Sequence, residues 1–238
     1  MSETTNLKLP FVVAAQAQKH VTVNEALSRI DAATQLSVES RTLTTPPLVV
    51  TAGECYLVPT GAVDDWAGQG GKLATFINGG WQYLTPRMGW QLWVEDEAKR
   101  LTYDGATWFD NLLAMSPSRA ALRAEVIELD VTLGGGASFA DTPFVIPSHT
   151  SVLAVTGRVL SAITGSLTSW SLGVETAEDR YGDALGLDQG TWLRGVTGQP
   201  VAYYNPTSLR LSAIGGTFDG GSVRLAVHLF EFDIPGED

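Results

Sequence analysis

The chain is short of cysteine, histidine, basic charge and long apolar runs, and each shortage removes a class of function. A single cysteine, Cys55, allows no intrachain disulfide, so the fold does not depend on an oxidising compartment. It lies in Glu54-Cys-Tyr-Leu-Val58, an expected strand, where a small buried hydrophobe is the reading rather than a nucleophile. Three histidines and one cysteine, all far apart in sequence, do not supply a zinc site, and no metal or cofactor is expected. With 15 Lys and Arg against 26 Asp and Glu, a net charge of −11 and no basic run, the chain lacks the clustered cations that hold nucleic acid or an anionic membrane. No stretch approaches the roughly 18–20 apolar residues of a membrane span. The leader-like run Leu9-Pro-Phe-Val-Val-Ala-Ala15 is short, contains a proline and follows a weakly basic start, so no signal peptide is expected. Also missing are Gly-x-Ser-x-Gly, a Walker motif and a Gly-x-Gly-x-x-Gly leading into a helix.

What remains is a composition for β structure. The 238 residues suffice for one large or two modest domains, 44% are hydrophobic and only 17% charged, and 25 Gly and 11 Pro supply turns. The chain is expected to be mainly β: an N-terminal arm and helix (1–41), a small Trp-rich β module (42–113), a linker (114–124) and an antiparallel β-sandwich of jelly-roll, carbohydrate-binding-module-like type (125–238).

Near the N-terminus, Thr22-Val-Asn-Glu25 has the form of a capping box, with Val21 and Ala26 at staple positions. Val23, Ala26, Leu27, Ile30 and Ala33 follow at helical spacing, which predicts a helix over about 22–38. The same stripe follows an a/d pattern for about two turns, fit to pack on a sister helix or on its own domain. Gln16 to His20 are then an exposed pre-helical arm.

Five of the seven tryptophans, Trp66, Trp81, Trp90, Trp93 and Trp108, fall in the second region. Short strands are predicted there over 54–58, 72–77, 80–83, 91–94, 101–103 and 107–109. Phe76-Ile-Asn-Gly-Gly-Trp81 and Tyr103-Asp-Gly-Ala-Thr-Trp108 both open on an aromatic, carry Asn-Gly or Asp-Gly, and close on Trp, at a spacing of 27. Each reads as a hairpin with an aromatic on both arms.

In the third region a short helical turn is expected over 119–123. Alternating runs then predict strands over 125–133, 142–146, 151–160, 169–175, 191–196, 201–204, 208–214 and 222–234. Gly134-Gly-Gly136 is a loop between two of them, His228 a hydrogen-bonded strand histidine, and Trp170 a core residue. The polar stretch Glu175-Thr-Ala-Glu-Asp-Arg-Tyr-Gly-Asp183 is expected as a charged loop. Its carboxylates Glu175, Glu178, Asp179 and Asp183 offer a pair for glycoside hydrolysis, a solvated surface, or less aptly a calcium site. The aromatic candidates are Trp192 with Arg194 and Tyr203-Tyr204-Asn205. An exposed ring is a flat apolar platform for a sugar, and Arg180 and Asp183 add hydrogen bonds to its hydroxyls. The alternative places these rings in a core or an interface.

Gln16-Ala-Gln-Lys-His-Val-Thr-Val-Asn-Glu-Ala-Leu27, then Gly89-Trp-Gln-Leu-Trp-Val-Glu-Asp-Glu97, Tyr103-Asp-Gly105 and Trp108, resemble in order the signature of the DUF2793 family of alphaproteobacterial phages, prophages and gene transfer agents. The resemblance spans about residues 8–110. Gly221-Ser-Val-Arg-Leu-Ala-Val-His228 is similar to a domain that often follows. In kind, the chain is similar to gene transfer agent head spikes. The resemblance implies a virion-surface protein that sits on the capsid and binds a host cell-surface or capsular polysaccharide; it supplies no catalytic residues. The N-terminal helical segment is expected to attach it to the capsid or a spike base, and the gain of a weak sugar site from multivalency makes a homo-oligomer the expectation. A non-enzymatic adhesion protein is therefore expected, with a polysaccharide depolymerase and a purely architectural spike as alternatives. Because the chain as a whole is acidic, largely neutral sugars are the expected ligands.

Overall fold

The computed structural model describes residues 3–12 and 19–236, and the chain divides into two compact units at Leu112/Leu113. It is mainly β, with one N-terminal α-helix and several antiparallel sheets.

In the first unit the helix α1 covers Lys19–Ala33, not 22–38. Thr22 therefore lies inside the helix and caps nothing. Glu25 pairs with Arg29 at 3.0 Å along the helix, and Asn24 bonds the Val12 main chain in both directions. His20 is part of the helix rather than of an arm, and Gln16–Gln18 lie outside the described residues. The helix stops at Ala33 because Gln35 takes a left-handed conformation (φ 53°) and the next residues alternate like a strand. Leu36 and Val38 are buried in the β core, with β1 (Ser37–Val38) pairing parallel to β5 (Gln91–Val94). The apolar stripe does not pack on its own domain: Ser28, Asp31 and Ala32 are buried, whereas Val23, Ala26, Ile30 (53% exposed) and Ala33 point to solvent.

What holds the helix to its own unit is polar. The buried Asp31 carboxylate accepts from Thr4 Oγ1 (2.8 Å), Asn6 N (2.9 Å) and Leu7 N (2.6 Å), tying residues 3–10 down on it.

β1 and β5 continue into β6 (Lys99–Tyr103) and β7 (Trp108–Asp110), and a second sheet runs β2 (Cys55–Leu57), β3 (Leu73–Ile77), β4 (Gly80–Leu84). The two share a core of Leu36, Val38, Cys55, Leu57, Leu73, Leu92, Val94 and Leu101. Both repeats are hairpins. Phe76 pairs with Trp81 around Asn78-Gly79, both at positive φ, with ring centroids 5.2 Å apart. Tyr103 pairs with Trp108 at 5.0 Å, and the Asp104 carboxylate accepts the N–H groups of Ala106 and Thr107 inside the turn. Trp66 lies edge-on to Trp81 and tilted against Tyr56 in one aromatic cluster. Arg41 clamps the chain with two forks, to Glu97 (2.7 and 2.6 Å) and Asp110 (2.6 and 2.7 Å), and these carboxylates raise its pKa further.

The second unit is a sandwich of nine strands. One sheet runs β14 (Trp192–Tyr203), β11 (Thr150–Gly165), β16 (Phe218–Phe232), β9 (Ala121–Thr132), β8 (Leu112–Met115). The other runs β10 (Phe139–Ile146), β15 (Thr207–Ile214), β12 (Ser169–Val174), β13 (Ala177–Leu185). Inward residues of both meet in one core that includes Val155, Val159, Trp170, Leu172, Leu193, Leu211, Val223 and Leu225. Three expectations are corrected here. The helical turn expected over 119–123 does not form, because β8 ends at Met115, a tight turn follows in which Ser116 N bonds Ala120 O, and β9 starts at Ala121. The runs 191–196 and 201–204 are one strand. The charged stretch 175–183 turns after Glu175 and becomes β13, since Tyr181 and Ala177 alternate inward to the core.

The Asp31 carboxylate and the Thr4 hydroxyl are buried, and Asn6 and Leu7 donate to it from part-buried positions, so removing the acceptor costs all three donors their partner. Asp31→Ala is expected to destabilise the first unit by about 3 kcal/mol, read from tryptophan fluorescence during urea unfolding of the full chain.

Candidate functional site

The sequence-derived site residues do not form one site. Trp192 and Tyr203 stand at opposite ends of β14, eleven residues apart, which is about 36 Å along an extended strand. Tyr203 is only 9% exposed, and its hydroxyl meets that of Tyr181 at 2.7 Å. Alternation explains the difference: Tyr203 takes an inward position in the core, although it also borders the groove that Arg180 lines. Burial, with the Tyr203 hydrogen bond behind it, raises the pKa of the Tyr181 hydroxyl. Tyr204 is 72% exposed in the turn after β14, next to exposed Asn205, and its ring lies edge-on to His149 at 6.4 Å.

The carboxylates separate in a similar way. Glu175 and Glu178 flank the Arg210 guanidinium at 3.5 and 3.7 Å, where Asp141 already makes a fork at 2.7 and 2.8 Å. With side chains 80% and 51% exposed, they lack the apolar enclosure that a general acid needs. Asp183 accepts the N–H of Ala184, and both Asp183 and Asp179 are exposed. Arg180 lines a groove of about 620 Å³ with Asp141, Phe144, Glu175 and Arg210, and Asp183 is not part of it. No group of three or more His, Cys, Asp or Glu placed to hold a metal occurs among the described residues.

The groove that does assemble lies on the outer face of the five-stranded sheet. On β14, Leu193 enters the core, which turns Trp192 and Arg194 outward. On β11, Val155 and Val159 enter the core, which turns Thr156 and Arg158 outward. Antiparallel pairing then lays these positions in two rows. Trp192, Arg158, Arg224 and Asp130 are directly opposite one another across β14, β11, β16 and β9; Arg194, Thr156, Ala226 and Glu128 form the adjacent row. All of these but Asp130, which holds Arg224 from the next strand, line a groove of about 720 Å³.

Within it Trp192 is 63% exposed, and the Arg194 guanidinium lies 5.7 Å from its ring centroid. Arg224 makes a fork to Asp130 at 2.7 and 2.8 Å, with Glu128 at 3.6 Å. Thr156 Oγ1 and His228 Nε2 are 3.0 Å apart. Gly157 lies between these rows on the inward face, where a Cβ would come within 2.8 Å of Leu225 and 3.0 Å of the Arg224 carbonyl. Gly195 lets β14 approach the Tyr181 carbonyl of β13 to a distance no side chain would allow. An exposed indole flanked by guanidinium and hydroxyl groups is suited to stacking on a pyranose face while donating to its hydroxyls.

Sequence reasoning found Trp192 and Arg194 but missed Thr156, Arg158, Glu128 and Asp130. The alternation of 151–160 already assigns Thr156 and Arg158 to the face opposite Val155 and Val159. The pairing of three strands distant in sequence is what brings those faces together.

Residues 23–109 match DUF2793, described as a protein of unknown function. The DUF2793 segment falls within the first unit and ends before the groove-bearing second unit begins. No curated protein matches the chain. Among solved structures, a chain of the cyanophage Pam1 capsid asymmetric unit is similar at 22% identity with a TM-score of 0.39, over 50% of this chain and 92% of its own. That likeness is too slight to bear on fold or function.

The Tyr181–Tyr203 pair has a measurable consequence. Tyr203→Phe leaves one buried hydroxyl unpaired and is expected to cost about 1–2 kcal/mol, whereas adding Tyr181→Phe recovers part of that loss. A double-mutant cycle in chemical denaturation reads the coupling; a neutral Tyr203→Phe would return Tyr203 to the surface.

Proposed function

We propose that this chain is a non-enzymatic adhesion protein of a phage-like particle, displayed on the virion surface as a head spike or fibre, and that its second unit binds host cell-surface polysaccharide. The observation that carries the reading is the exposed Trp192 ring set beside Arg194 and Thr156 in the outer groove. The indole offers a flat apolar surface beside hydrogen-bond donors, which a sugar face covers weakly and reversibly. The virion setting rests on the family resemblance of the first unit's motifs. A purely architectural spike would need no such platform, and a depolymerase would need an enclosed acid that Glu175 and Glu178 do not offer.

Weak sugar sites gain from multivalency. The outward stripe of Val23, Ala26, Ile30 and Ala33 repeats at the spacing of a coiled-coil seam, which supports homo-oligomerisation through α1, with the N-terminal region nearest the capsid or spike base. No helix among the described residues is long and apolar enough to cross a membrane.

Two measurements test this reading. On a glycan array, wild type is expected to bind host capsular polysaccharide without releasing new reducing ends. Trp192→Ala is expected to lose about one order of magnitude or more in affinity, the scale of a stacked ring contact. Wild type that binds nothing would leave the architectural spike. Separately, Ile30→Glu is expected to convert an oligomer to monomers in sedimentation velocity with an unchanged circular dichroism spectrum; a wild type that is already monomeric overturns the helix seam.

A further inference from the structure

A net charge of −11 points away from anionic ligands, yet the groove carries the opposite sign. Screening confines a charge's reach to about 8 Å at physiological salt, so the groups that line the groove decide what enters it. Of its three arginines, Arg224 is already matched by Asp130 and Glu128. Arg158 and Arg194 have no carboxylate partner among the described residues. Elsewhere Arg29, Arg41, Arg123 and Arg210 each meet one, while Arg87, Arg100 and Arg180, like the groove pair, meet none among the described residues; what distinguishes Arg158 and Arg194 is their place together beside the exposed Trp192 ring.

Arg158 also stands directly opposite Arg224 across β11 and β16. Like charges in that position oppose pairing of the strands, and a carboxylate on Arg158 or a neutral side chain there would relieve it. The chain keeps the uncompensated cation beside the exposed ring. Trp192 faces Arg158 across one row, and Arg194, two residues on, holds its guanidinium 5.7 Å from the indole centroid, so both arginines border the indole.

We propose that the groove recognises a sugar bearing an anionic substituent, with the ring on Trp192 and the anion in the forks of Arg158 and Arg194. Guanidinium forks match the two oxygens of a carboxylate, and they accept a sulfate or phosphate ester by the same geometry. A uronic acid supplies such a carboxylate on the rim of a flat pyranose. The proposal rests on the glycan-binding reading and narrows it, replacing the neutral sugars that the net charge favoured.

The test uses the full chain and a panel of hexuronate oligosaccharides, each beside its carboxyl-reduced neutral counterpart and a sulfated counterpart, titrated by calorimetry. The acidic form is expected to bind at least about tenfold more tightly than the reduced form, the scale of one charge-assisted contact. Arg158→Gln and Arg194→Gln are each expected to weaken the acidic form more than the reduced form and so to remove most of that preference, whereas Trp192→Ala weakens both forms by the same factor. Sulfated probes that bind with the same arginine dependence support the proposal and assign the anion to an ester. Equal affinity for acidic and reduced forms overturns the proposal and leaves the glycan reading intact. If no probe binds wild type, both fall.

Discussion

The register of β11 between β14 and β16 is the constraint on which the second unit depends. Side chains along a strand alternate with a period of two, so a slip of one residue would drive Thr156 and Arg158 into the core and expel Val155 and Val159. The inward set of Val155, Leu193, Val223, Leu225 and Val227 is buried almost completely. That burial holds the register, and the register aligns Trp192, Arg158, Arg224 and Asp130 into a row. The groove is thus the outer side of the same pairing whose inner side is the core.

The first unit is held by a different kind of contact. Its core is divided between an aliphatic cluster shared by two small sheets and an aromatic cluster around Trp66. The segments leading into these sheets are tied by charge: the Asp31 carboxylate gathers three donors from residues 4–7, and Arg41 forks to Glu97 and Asp110. Such contacts are directional, and they position chain ends that have too little apolar surface to bury. Because the helix meets its own unit through Ser28, Asp31 and Ala32, the stripe of Val23, Ala26, Ile30 and Ala33 remains outside.

Charge placement separates the two levels of description. Summed over the chain, the charge is strongly negative; along the outer face of β11 and β14 it is locally positive, because Arg158 and Arg194 lack carboxylate partners there. Net charge governs long-range repulsion and solubility, whereas a ligand in contact responds to groups within one screening length. The two statements are compatible, and only the second concerns specificity.

Much was legible in the sequence where the signal was local. The two aromatic hairpins, the buried Cys55, the core Trp170, the bonded His228 and most strand positions follow from alternation, turn chemistry and short-range pairing, each decided within a dozen residues. Errors arose where a distant partner outweighed a local pattern. Thr22 and Glu25 fit a cap, but the helix already runs from Lys19. Leu36 and Val38 fit a helical continuation, but pairing with β5 claims them. The 175–183 stretch is polar enough for a loop, yet Tyr181 anchors it as a strand, and the same inward alternation buries Tyr203. The sequence by itself determined the class of the fold, the alternation of each strand and the identity of Trp192 and Arg194 as outward candidates. Only the tertiary structure decided which strands stand side by side, and with that which residues share the groove, because strand pairing is set by burying distant apolar faces together and leaves no mark at any one position.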